Sequence, residues 1–135
     1  MKKRIYYHDT DCGGVVYYAN YLKYLEEART EFFESKAIFI KDLEEKGILF
    51  VVARQEIDYK SPAHYGDILD INTRLTNVGR ARIEFANDIS RISGIPLSGK
   101  NQSGEILAQA KTVMVCIDSG FKPKTIPDDI RKKLL

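Results

Sequence analysis

The sequence predicts an α+β domain in which a largely antiparallel sheet curves around one long helix, and three observations carry that reading. Apolar residues recur at helical intervals over 18–35, the period changes to two after Gly47, and four strand-like stretches then follow one another through tight connections. A helix with a broad apolar face must bury it, and a strongly curved sheet supplies the cover.

The elements follow in order. Lys3 to His8 sets Ile5 and Tyr7 against Arg4 and Tyr6, which predicts an opening strand. Tyr21, Leu25, Ala28 and Phe32, supported by Leu22, Tyr24 and Phe33, form the apolar face of a helix over 18–35. Lys23, Glu26, Glu27, Arg29, Glu31 and Glu34 occupy much of its remainder. Ile40 to Lys46 predicts a short second helix ended by Gly47. Residues 48–60 settle into alternation at Val51, Ala53, Gln55, Ile57 and Tyr59, and Pro62 stops that strand within a turn from Ser61 to Asp67. Strands are predicted at 68–78, 81–93 and 104–117, the last with Ile106, Ala108, Ala110, Thr112, Met114 and Cys116 on one side. Gly94, Pro96, Gly99 and Gly104 mark a long exposed hairpin loop. Pro127 opens a short helix with Arg131, Lys132 and Lys133 in its last turn, where cations are favourable.

A chain of 135 residues suits a single domain, 1–135. Its 21 Lys and Arg against 19 Asp and Glu leave +2, so the global field favours neither nucleic acid nor an acidic partner, and any anion recognition is local. Cys12 and Cys116 have no CxxC spacing and no secretory leader precedes them, which leads to the expectation of unpaired thiols in the cytoplasm. No apolar run approaches the roughly 20 residues of a membrane-spanning helix. With two histidines, His8 on a strand and His64 in a turn, no zinc site is expected, and no cofactor.

The chemistry concentrates in the stretch from His8 to Tyr21, where Asp9 and Asp11 and a Gly13-Gly14 step run into the long helix. The first N–H groups of a helix lack intrahelical partners and together carry roughly +0.5 of an elementary charge, so they can hold a developing oxyanion. Glycines there let the backbone turn sharply and a substrate approach closely. A carboxylate facing such amides stays ionised at neutral pH.

The run from Tyr6 to Tyr21, followed by Glu26, Ala28, Arg29 and Glu31, resembles the hotdog-fold acyl-CoA thioesterases of the 4-hydroxybenzoyl-CoA thioesterase and YbgC-like group. The likeness continues through Phe50-Val51-Val52 and Ser61-Pro62-Ala63 to Pro127. It implies a five-stranded antiparallel sheet around the long helix, assembly into homodimers or homotetramers with the active site at the dimer interface, and hydrolysis of an acyl-CoA to free acid and CoA. The family's catalytic carboxylate matches Asp11 rather than Asp9, and its oxyanion donor matches the backbone N–H of Tyr18. Many YbgC-like members carry histidine where this chain has Tyr18, so their acyl preference does not transfer. Gly14, Val15 and Val16 are expected against the substrate. Coenzyme A brings phosphates, for which Arg80 and Arg82 at a strand junction are the best candidates and Lys122 and Lys124 weaker ones.

A thiolate leaving group has a conjugate acid of pKa about 8.5 and needs little general-acid help, so one carboxylate suffices, as nucleophile or as general base on water. Other meanings of Asp9-Thr10-Asp11 fare worse. A haloacid-dehalogenase-like loop fails on the short chain and antiparallel pattern, and an EF-hand fails because Gly13 and Asn20 stand where ligands are required. The plainest alternative for Asp11 is a turn-capping role, and Asp9 is expected to act as a loop-ordering acceptor. A different function on the same fold is a non-catalytic module binding acyl-CoA or an acidic acyl carrier protein, the latter docking near Arg80 and Arg82.

Overall fold

The computed structural model describes residues 1–93 and 104–135; the hairpin loop expected around Gly94, Pro96 and Gly99 lies outside them. Five strands, β1 (Lys2–Arg4), β2 (Leu49–Tyr59), β3 (Ile68–Val78), β4 (Arg82–Ser93) and β5 (Glu105–Ile117), form one antiparallel sheet in the order β1-β3-β4-β5-β2. The helices are α1 (Asn20–Ser35), α2 (Ile40–Glu45) and α3 (Asp128–Leu134). Predicted order and type of element are thus borne out, with two local corrections.

The opening strand is shorter than expected. Lys2, Lys3 and Arg4 pair with Asp70, Leu69 and Ile68, after which Tyr7–Asp9 turn into a 3-10 helix. The cause is local hydrogen bonding: the Asp9 carboxylate accepts the Tyr6 N–H at 2.8 Å, and the Asp9 and Thr10 N–H groups donate to the Tyr6 and Tyr7 carbonyls. Such closed side-chain-to-backbone bonds compete with a strand ladder. The second correction is at α1, which begins at Asn20 rather than 18, because residues 17–20 form a turn closed by Asn20 N–H to Tyr17 O at 2.9 Å.

Two compact units share the chain. The first comprises Met1–Ala28, Ile57–Asn72 and Asn87–Ala110, and the second Arg29–Glu56, Thr73–Ala86 and Lys111–Leu135. In the first, Tyr21, Tyr24, Leu25 and Ala28 of α1 pack with Ile5, Val16, Leu69, Ile71, Ile89 and Leu107. In the second, Phe33 stacks on Phe50 at 5.6 Å and meets Phe85 edge-on at 5.7 Å, among Leu43, Ile83, Met114, Cys116 and Ile126. Each large side chain so buried contributes about 1.5–3 kcal/mol.

One departure on β5 positions the site. Ile106 is exposed while Leu107 and Ala108 are both buried, so the alternation expected from Ile106 onward begins only at Ala108. Lys60 and Ser61 N–H both donate to Leu107 O, at 2.8 and 3.1 Å, the two-against-one pairing of a β-bulge, which re-aims the chain where β2 ends.

The turn that follows is held by a buried ion pair. Arg91, on the core face of β4, donates from Nε to Asp67 Oδ2 at 3.0 Å, from Nη2 to Pro62 O at 2.6 Å, and from Nη1 to Glu105. Asp67 is fully buried, its Oδ2 also accepts the His64 N–H at 2.8 Å, and its Oδ1 has no hydrogen-bond partner among the described residues, so Arg91 is its main compensation. Breaking one side of such a pair leaves an uncompensated buried charge. Arg91→Met is therefore expected to lower unfolding free energy by about 3–5 kcal/mol in urea titration, and a loss under about 1 kcal/mol would show that the pair does not hold the turn.

Candidate active site

Built from the backbone upward, the stretch from Asp9 to Asn20 is a loop closed by hydrogen bonds among its own backbone and side-chain groups. Asp9 is buried, and its carbonyl oxygen accepts both the Tyr17 N–H at 3.0 Å and the Asn20 side-chain amide at 2.9 Å. Asp9 thus orders the loop, as expected of it. Asp11 closes the smaller ring within: its N–H donates to Val15 O at 2.9 Å and its C=O accepts the Gly14 N–H at 3.0 Å. Val16 N–H is anchored to Ala63 O at 2.9 Å on the turn that Arg91 and Asp67 hold.

The Asp11 carboxylate is exposed. Its Oδ1 accepts the Gly13 N–H at 2.8 Å, so its hydrogen bond goes to the loop and not to a helix N-terminal amide, and α1 has no acid in its first turn. The electrostatic partner expected from sequence is replaced by a loop amide two residues on. Gly13 and Gly14 are required for this turn in different ways. A Cβ at Gly13 would lie 3.1 Å from Asp11 Oδ1, and Gly14 has φ +80°, a conformation that L side chains rarely adopt.

The amides before α1 divide into spent and unspent. Tyr17 N–H is bound to Asp9 and Asn20 N–H to Tyr17 O, whereas the Tyr18 N–H has no hydrogen-bond partner among the described residues. Its peptide is nonetheless polarised, because the carbonyl at the other end of the same unit, Tyr17 O, accepts the Asn20 N–H. A peptide that accepts at one end becomes a better donor at the other.

Tyr18 lines a cleft of about 290 Å³ with Val15, Val16, Tyr21, Tyr59, Lys60, Ser61 and Pro62. The structure therefore brings together Tyr18 and two of the three expected substrate residues, Val15 and Val16. Gly14 and Asp11 are not among the lining residues but adjoin Val15 through the small ring. Tyr59 and the Arg91–Asp67 pair were not foreseen. Arg91 had one available signal, since alternation on β4 from Ile83, Phe85 and Ile89 places it on the core face.

Arg80 and Arg82 belong to the second unit and are exposed. Arg82 is held by Glu84 at 2.7 Å, while Arg80 donates to the Thr125 hydroxyl at 3.0 Å and has no carboxylate partner among the described residues. A larger cleft of about 430 Å³ there includes Arg82 and Glu84, together with Arg54 and Glu56, and its charges are largely paired with one another.

Residues 6–134 match the family described as the thioesterase-like superfamily. The chain belongs to that superfamily. The acyl-CoA thioester hydrolase YbgC of Escherichia coli O6:H1 is 33% identical over 128 residues, 94% of this chain and 88% of that one. The acyl-CoA thioesterase YbgC of Haemophilus influenzae is 35% identical over 130 residues, 95% and 88% of the two chains. Among solved structures, the 1,4-dihydroxy-2-naphthoyl-CoA thioesterase Slr0204 of Synechocystis superposes with a TM-score of 0.85 at 26% identity, covering 99% of this chain and 93% of its own. The fold of this thioesterase-superfamily chain is the hotdog fold, and the expectation of a thioester hydrolase is borne out. No helix among the described residues is long and apolar enough to cross a membrane.

The two thiols of this superfamily member differ in exposure. Cys12 is exposed beside Asp11, whereas Cys116 is fully buried, and burial raises its thiol pKa with Lys124 opposing. Iodoacetamide at neutral pH is expected to modify Cys12 in the folded protein and Cys116 only after denaturation. Two fast-reacting thiols in the native protein would contradict the burial.

Proposed function

We propose that the protein hydrolyses an acyl-CoA thioester, with Asp11 attacking the carbonyl or activating water and the Tyr18 N–H holding the oxyanion. The observation that carries this reading is the unspent, polarised Tyr18 amide on the wall of a tyrosine-lined cleft. The acyl-CoA substrates in the names of the Escherichia coli and Haemophilus influenzae relatives support the choice of thioester.

In the nucleophilic route, an Asp11 oxygen bonds to the acyl carbon, the C–S electron pair leaves with CoA as thiolate, and water then cleaves the anhydride. In the general-base route, Asp11 takes a proton from water as that water adds to the same carbon. Both pass through a tetrahedral oxyanion, and both end in the free acid and CoA. A donor placed on that oxyanion is typically worth about 10²–10³ in rate. Val15 and Val16 flank the acyl group, Gly14 leaves room beside it, and Arg80 and Arg82 serve the CoA phosphates. Of the two, Arg80 has the less committed charge, since Glu84 already engages Arg82.

A second copy of the chain completes the assembly. β2 is an edge strand of the sheet, eleven residues long with Val52 and Tyr59 exposed, the kind of edge that pairs with another chain. A single monomeric species in sedimentation equilibrium would contradict this.

The chemistry is tested with an acyl-CoA panel and a thiol-detecting reagent. Turnover is expected with at least one acyl-CoA, and Asp11→Asn is expected to lower kcat by about 10²–10⁴-fold. Saturable binding without turnover, or full activity in Asp11→Asn, would overturn the proposal.

A further inference from the structure

Among the tyrosines of the cleft, Tyr59 reaches the backbone of Tyr18. Its hydroxyl donates to Tyr18 O at 2.9 Å, and its ring meets those of Tyr21 at 5.4 Å and Tyr18 at 6.4 Å, both edge-on. We infer that Tyr59 is a positioning residue for the hydrolysis, its hydroxyl locking the peptide between Tyr18 and Ala19 and with it the turn that presents the Tyr18 N–H. The inference rests on the proposed role of that amide as oxyanion donor.

The Tyr18 N–H lies in the peptide plane before its Cα, and through the shared Cα that plane is coupled to the plane after it. The plane before Tyr18 is held at its carbonyl by the Asn20 N–H. The plane after it, between Tyr18 and Ala19, is the central peptide of the 17–20 turn, and this is the peptide whose orientation distinguishes type I from type II turns while the closing hydrogen bond persists. Ala19 does not have the positive φ of a type II turn, so the central carbonyl keeps the type I orientation, and in that orientation it accepts the Tyr59 hydroxyl. Freed of Tyr59, the central peptide rocks about the Tyr18 Cα, and the plane before it, which carries the Tyr18 N–H, keeps only the Asn20 bond as a restraint.

The clamp is itself rigidly rooted. Tyr59 is the last residue of β2, and the next two N–H groups, of Lys60 and Ser61, both grip Leu107 O. Burial raises the Tyr59 hydroxyl pKa, with Tyr18 adding to the effect, so the group remains a donor at neutral pH. Tyr59 is about half exposed and its bond to Tyr18 O lies at the surface, so the hydroxyl is not a core contact and its removal spares the fold.

Tyr59→Phe keeps the ring and deletes the donor. With the acyl-CoA turned over best, kcat is expected to fall about 10-fold with KM within twofold of wild type, as for a small misplacement of a transition-state donor. The thermal midpoint should stay unchanged, and the Ala19 amide resonance should move, because Ala19 N–H belongs to the peptide whose carbonyl loses its partner. A kcat within twofold of wild type, an unmoved Ala19 amide, or a drop in thermal midpoint with kcat and KM worsening together would overturn the positioning role. Asp11→Asn assayed in parallel separates the two claims. If it is inactive while Tyr59→Phe is unimpaired, only the role of Tyr59 falls; if it retains full activity, the hydrolytic reading beneath it falls as well.

Discussion

The carbonyl oxygen of Asp9 decides what the rest of the loop can do. By accepting the Tyr17 N–H and the Asn20 side-chain amide together, it fixes where the chain turns into α1. A backbone amide buried without a partner is costly, so a loop beside a core normally pairs all of its donors. Here the pairing skips two residues. Tyr17 and Asn20 are satisfied, the Tyr18 and Ala19 N–H groups between them have no partner among the described residues, and of the two residues it is Tyr18 that lines the cleft. The donor is created by which neighbouring groups are consumed, and no special side chain at 18 is needed.

The two acids of the motif have separate physical tasks for the same reason. Asp9 is buried and spends its carboxylate on Tyr6 and its carbonyl on the start of α1. Asp11 is exposed, with one oxygen on Gly13. An acid already consumed by structure is a poor nucleophile or base, and one held by a single loop amide keeps an oxygen for chemistry. The loop then depends on a counterpart, the 61–67 turn, which the buried Arg91–Asp67 pair holds against Val16 and the cleft. An apolar pair of equal volume often serves stability as well, so an ion pair beneath this turn fits a demand for fixed geometry more than for stability.

Much of this was legible in the sequence, and the reasons it stopped being legible are local. Helix α1 and strands β2 to β5 were readable because periods of 3.6 and 2 repeat over eleven residues or more, enough to outweigh any single side chain. The opening strand was overextended because alternation at Ile5 and Tyr7 is silent about Asp9 reaching back to Tyr6. Ile106 was placed on the buried side because a strict period of two cannot register the break at Leu107 and Ala108, which are buried in succession. Likewise, Asp11, Val15, Val16 and Tyr18 stood out as one contiguous motif, whereas Tyr59 acquires its meaning only when the fold brings it to Tyr18, 41 residues away in sequence. Contacts made by tertiary proximity leave no period to read.

What remains to be measured is whether the Tyr18 amide acts on a thioester carbonyl. Infrared difference spectroscopy of a ¹³C=O-labelled acyl-CoA bound to the Asp11→Asn protein reads that bond directly. A carbonyl stretch lowered relative to the same thioester in water, and returning toward the water value in the Asp11→Asn/Tyr59→Phe double variant, is the expected result. A bound carbonyl with an unshifted stretch would contradict polarisation by Tyr18 and, with it, the chemistry assigned to the loop.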